Sequence, residues 1–232
     1  MLKVELHTHT DGDPYDRVRH SARELIDYVA AHGYQGLAIT LHDRYSHTVD
    51  DERYARERGV ALIAGIECTI ERRHVLLLNF PPACERVSTF AALAALKASH
   101  PDGLVIAPHA FYPISSALRR DLLRHADLFD AVEVNALYTK LLNFNTAAAK
   151  WASQHGKPVV GNTDLHVLDQ LGSTFTLVDA APDATSICRA IRAGRCQVQS
   201  QPLSTFRAAW IFARMLATGV GGKLLPAPEP RR

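Results

Sequence analysis

Short apolar runs alternate with helix-like patterns along the chain. The runs KVEL (3–6), GLAIT (36–40), ALIAGI (61–66), HVLLLN (74–79), LVIA (104–107), AVEVN (131–135), PVVGN (158–162) and STFTLV (173–178) read as strands. Most are continuously apolar rather than alternating, the pattern of strands covered on both faces by helices. Between them, Ser21 and Glu24 form a capping-box spacing ahead of Ala22, Leu25, Ile26, Val29 and Ala30, one apolar helix face that Gly33 can end. A second helix is predicted from Leu141 to His155, with Gly156 and Pro158 behind it, and further helices over 86–99, 115–126 and 183–193.

Strands and helices alternate over most of the length without an obvious linker or internal repeat, which predicts a single α/β domain. A closed or nearly closed β/α barrel fits better than an open sheet. The end, LLPAPEPRR, reads as a disordered tail. Residues 203–220 are apolar, but Arg207 and Arg214 interrupt a run already short for a membrane span. Packing against the barrel, or against a second copy in a homo-oligomer, is the expected use.

Composition narrows the class. The 232 residues are 47% hydrophobic and 22% charged with a formal charge of +2, as in an ordinary soluble protein without the basic stripe of a nucleic-acid binder. Cys68, Cys84, Cys188 and Cys196 lack C-x-x-C spacing, so reduced thiols are expected rather than a zinc ribbon. The opening MLKVEL does not read as a secretory signal, and a cytoplasmic setting is the expectation.

Histidine changes the picture, because the chain has 12. His32, His100, His125 and His155 fall near helix ends, His20 precedes a cap and His47 lies in a polar loop. The others follow strands: His7 and His9 after the first, His42 and Asp43 after the second, Glu67 after the third, His109 after the fifth, Asn135 after the sixth, Asp164 and His166 after the seventh. His74 instead begins the fourth. In β/α barrels the carboxyl ends of the strands share one face, where chemistry occurs. Imidazole and carboxylate without thiolate at that face suit zinc, manganese or iron.

As a set, HTHT (7–10), ITLHD (39–43), GIE (65–67), HVLLLN (74–79), PHAF (108–111) and TDLH (163–166) resemble the PHP domain (polymerase and histidinol phosphatase) of metal-dependent phosphoesterases, over residues 1 to about 180. The resemblance implies a distorted seven-stranded, TIM-like β/α barrel over 1–200, followed by a C-terminal helix and tail over 201–232. It implies two or three divalent metal ions: one on His7, His9, Glu67 and Asp164; a second on Glu67, His74 and His109; a third on His42, His166 and an acid of the first loop. That loop reads TDGDPYDRVRHS, so Asp11, Asp13 and Asp16 compete, with Asp16 favoured by its distance from the cap at Ser21 and Asp13 next. Leu41 replaces a customary carboxylate before His42.

The implied activity is hydrolysis of a small phosphomonoester or nucleotide by a hydroxide bridging two metals, with Asp164 orienting or deprotonating it. His109 or His166 would assist the leaving group, and Arg44 and Lys140 would contact the phosphate. Two other readings remain open at this stage: 3′–5′ exonuclease action, and a non-catalytic metal-binding regulatory module.

Overall fold

The computed structural model describes residues 1–218, so the expected tail and the last residues of the 203–220 segment lie outside the described residues. Nine strands form one sheet: β1 (Leu2–Glu5), β2 (Gly36–Ile39), β3 (Ala61–Ile70), β4 (Arg73–Leu78), β5 (Leu104–Ala107), β6 (Ala131–Asn135), β7 (Val159–Asn162), β8 (Thr174–Val178) and β9 (Cys196–Ser200). Seven α-helices lie among them: α1 (Ala22–Ala31), α2 (Val49–Glu57), α3 (Phe90–Ser99), α4 (Arg120–Arg124), α5 (Asn145–His155), α6 (Ala184–Arg192) and α7 (Thr205–Thr218).

The strand order is β7-β6-β5-β4-β3-β2-β1-β8-β9. Two parallel blocks, β1–β2–β3 and β5–β6–β7, are joined through β4, which runs antiparallel to both its neighbours. The hairpin β8–β9 adds antiparallel to β1. It curls back to β7, where the Thr176 hydroxyl accepts from the Gly161 amide at 2.8 Å and donates to the Gly161 carbonyl at 3.0 Å. A side chain on Gly161 would press within 3.0 Å of Val198, Thr174 and the Phe175 carbonyl, so a glycine lets the seam draw together. The result is the expected nearly closed barrel, with nine strands in its sheet where the resemblance implies seven.

Local chemistry sets the elements. The Ser21 hydroxyl accepts from the Glu24 amide while Glu24 accepts from the Ser21 amide, and α1 buries Leu25, Ile26 and Val29 against β2 and β3. Helix α5 starts at Asn145 rather than Leu141, because Leu141 and Leu142 stay exposed and give an earlier start no face to bury. The expected 115–126 helix contracts to α4 and a 3₁₀ turn over Ala126–Leu128, since Arg119 adopts φ +47°. Helix α2 lies in a stretch where the apolar pattern predicts no helix. It buries only Ala55 and is held by the Thr48 cap, with Asp50, Asp51 and Glu52 at its positive end. Strand β9, with its alternating polar residues, likewise carries no continuous apolar run.

Among the described residues, no helix is long and apolar enough to cross a membrane. Helix α7 buries Ile211 and leaves Phe206, Trp210, Phe212 and Leu216 exposed. Its Arg207 donates to the Asp169 carbonyl and its Arg214 pairs with the Asp169 carboxylate.

Candidate metal centre

The parallel strands deliver their carboxyl ends to one face. His7 and His9 follow β1, His42 follows β2, His109 follows β5, and Asp164 and His166 follow β7. Glu67 sits within β3, which continues to Ile70 before turning. The hairpin explains His74. Because β4 runs antiparallel, its first residues lie beside the carboxyl end of β3, with His74 opposite Thr69. A residue at a strand's start thus reaches the same face as residues at the others' ends.

Glu67 is the hub. Its Oε2 lies 3.2 Å from His7 Nε2, 3.4 Å from His9 Nε2 and 3.2 Å from His42 Nε2. Its Oε1 lies 2.5 Å from His74 Nδ1 and 3.2 Å from His109 Nε2. Asp164 Oδ1 stands 3.3 Å from His7 Nε2, 3.4 Å from His9 Nε2 and 3.5 Å from His166 Nδ1. Asp16 closes the far side at 3.0 Å from His166 Nε2. All nine residues singled out in the sequence as metal-binding are therefore assembled in one cluster. Arg44 and Lys140 are exposed, and the Arg44 guanidinium donates to the Gly12 carbonyl of the first loop.

Three inward-facing imidazoles are fixed from behind. Glu133 Oε2 holds His7 Nδ1 at 2.8 Å, and Asp13 Oδ2 holds both His9 Nδ1 and His42 Nδ1 at 2.9 Å. With Nδ1 tied outward, each Nε2 points at Glu67. This is the arrangement by which an outer carboxylate orients a metal-binding imidazole.

Electrostatics follow the geometry. Burial alone would raise the Glu67 carboxyl, but His74, His42 and His7 hold it well below its ordinary value. Burial would lower His7, yet Asp164, Glu133 and Glu67 draw it well above. His9 is raised to about 9, burial being outweighed by its hydrogen bond to Asp13 and the charges of Glu67 and Asp164. Asp13 and Asp164 are lowered against burial, Asp13 by hydrogen bonds from His42 and His9, Asp164 by the charges of His7 and His166.

Direct proton sharing does not satisfy this cluster. His9 Nε2, fully buried, has no hydrogen bond, although two carboxylates lie within 3.4 Å of it. Buried polar atoms are normally satisfied. Among the described residues, four groups bring potential ligand atoms within 4.8 Å of one another: His7, His9, Glu67 and Asp164; His42, Glu67 and His74; His9, His42 and His166; and Asp13, Asp16 and His42. Cys68 and Cys84 are pushed up by burial and lie outside these groups, so the donors are nitrogen and oxygen alone. These residues fit divalent cations.

Sequence reading did not single out Glu5 and Glu133. Glu133 also accepts from the His109 amide, Asn135 and Asn162. Glu5 accepts from the Thr163 amide and hydroxyl and from the His7 amide, and burial pushes it up to about 8 against those bonds. The available signal was a glutamate inside an otherwise apolar strand, costly unless it is held by specific partners. Asp43, His109 and Asp164, each close behind a strand, have φ of +47°, +30° and +53°. Such backbone in non-glycine residues gathers at functional sites.

Comparison with known proteins agrees with this architecture. Residues 143–196 match the family described as PHP-associated. No curated protein matches the chain. Among solved structures, the chain is similar to a two-domain protein from Bacteroides vulgatus containing a predicted PHP-like metal-dependent phosphoesterase: 17% identity, TM-score 0.67, 86% of this chain covered. The chain spans 65% of that protein's length. PsfC from Pseudomonas syringae is similar at 16% identity and TM-score 0.58, with 97% of this chain and 99% of that one covered. The lesion-specific endonuclease PfuEndoQ from Pyrococcus furiosus is similar at 17% identity and TM-score 0.56, with 85% and 57% covered. The fold is similar to that of PHP-like barrels, and its His/Asp/Glu cluster presents donors that fit divalent cations.

Proposed function

We propose that the chain is a metal-dependent phosphoesterase that hydrolyses a small phosphomonoester or nucleotide. The observation that carries this reading is Glu67: one buried carboxylate set between His7, His9 and His42 on one oxygen and His74 and His109 on the other. A carboxylate so placed suits a bridge between two cations. Zinc, manganese or iron matches the donors, two or three ions per chain. His7, His9, Glu67 and Asp164 would hold the first; Glu67, His74 and His109 the second; His42, His166 and Asp16 the third.

Divalent cations, when bound, lower the pKa of water and neutralise phosphoryl charge. The protein's own groups do the rest. Asp164, 23% exposed where Asp16 is 9% and Glu67 is 1%, is the most exposed acid of the cluster. It would orient the attacking water and take its proton. His166 or His109 would assist the leaving oxygen, and Arg44 and Lys140 would contact the phosphate from the exposed rim.

A panel of phosphomonoesters, nucleotides and DNA ends, assayed with manganese or zinc, tests the reading. Turnover of small phosphomonoesters, lost in Asp164→Asn, is expected. Action on DNA ends alone would replace the substrate class, and no turnover of any ester would overturn the hydrolase reading.

A further inference from the structure

A second space lies beside the cluster and shares a residue with it. A cavity of about 450 Å³ opens between the amino end of α1, the loop after β7 and α7, and is lined in part by Arg19, His20, Tyr28, His166, Leu168 and Arg214. That volume lies within the range of small-molecule sites. His166 belongs to both spaces. It faces Asp16 at 3.0 Å in the cluster and also lines the cavity. His20 links the two as well, lining the cavity while its Nε2 donates to the His9 carbonyl at 2.9 Å.

The geometry points to this cavity as the pocket for the alcohol portion of the phosphoester, one with an apolar body and an anionic terminus. This rests on the hydrolase reading above. Tyr28, Val167 and Leu168 supply surface for the body. The charges sort by partner. Asp169 is neutralised by Arg214, and Glu24 turns its carboxylate onto the Ser21 amide and hydroxyl at 2.8 and 2.9 Å, against the positive end of α1. Arg19 enters none of the ion pairs among the described residues and remains exposed at the cavity, available to an anion. Helix α7 gains a role as well. Arg207 and Arg214 both fasten it to Asp169, in the loop that carries His166, and so hold the outer wall beside the cluster.

Phenyl phosphate and 4-carboxyphenyl phosphate form a matched pair of probes, supplemented by calorimetry with the non-hydrolysable phenylphosphonate and 4-carboxyphenylphosphonate. With manganese-supplied full-length protein, the carboxylated ester should have the higher kcat/KM, by on the order of tenfold, as expected for a charge-assisted hydrogen bond. Arg19→Ala should bring that ratio close to one, and the phosphonates should show the same difference in Kd. Turnover of both esters with no carboxylate preference would overturn the pocket while leaving the hydrolase reading standing. No turnover, with Arg19-dependent preference for the carboxylated phosphonate, would overturn the hydrolase reading and support the pocket as a binding site. A preference that survives Arg19→Ala would overturn the assignment of the anion to Arg19.

Discussion

Glu133 holds His7 by its Nδ1 at 2.8 Å, across 126 residues of sequence, and so aims His7 Nε2 at Glu67. The same carboxylate accepts from the His109 amide at 3.1 Å, so one buried acid from β6 braces two members of the cluster. Glu133→Gln keeps the shape but weakens the hold on a ring that must present an unprotonated Nε2. Metal affinity should fall about 10–100-fold, the usual loss when an outer partner is removed. Competition with a chelator of known affinity measures it. A change below about twofold would mean that His7 is oriented by something else.

The two acids of the first loop should separate by their effects. Asp13 Oδ2 accepts from His9 Nδ1, His42 Nδ1 and the His42 amide, whereas Asp16 Oδ2 faces His166 Nε2. Asp16→Asn should remove one equivalent of bound metal and leave the others. Asp13→Asn should weaken binding more broadly, because it loosens two imidazoles together. Metal counts on the two variants decide this, and equal losses would contradict the division of roles.

Glu5 gives a pH dependence with a definite sign. Burial raises its pKa from 4.5 to about 8 in the folded chain, which therefore binds this proton more tightly than the unfolded chain does. The contribution to stability is fully present below 4.5 and is lost as pH rises through about 8. Glu5→Gln, which cannot ionise, should flatten the fall in urea midpoint between about pH 5 and pH 9. An unchanged slope in the variant would show that Glu5 does not carry the effect.

Much of the site is legible in the sequence. His7, His9, His42, His109, Asp164 and His166 betray themselves because strand ends are visible as breaks in apolar runs. Their convergence on one face follows from barrel connectivity. His74 lay outside that logic, since sequence alone does not reveal that β4 reverses direction; the hairpin brings it in. Glu5 and Glu133 were obscured for the opposite reason. They sit inside strands, where an apolar pattern is read for its majority, and their partners Thr163, Asn162 and His7 come from distant segments. Helix α2 and strand β9 eluded detection because each buries little, leaving scant apolar periodicity to read. The choice between Asp13 and Asp16 turned on which way a loop folds, which spacing does not encode.

Glu67 and the imidazoles around it are the proposed multinuclear metal centre. Equilibrium dialysis of the 232-residue chain against manganese or zinc, followed by elemental analysis, counts the ions it holds. Two or three ions per chain are expected, falling by at least one in His9→Ala. Fewer than two ions in the unaltered chain, or an undiminished count in His9→Ala, would contradict it.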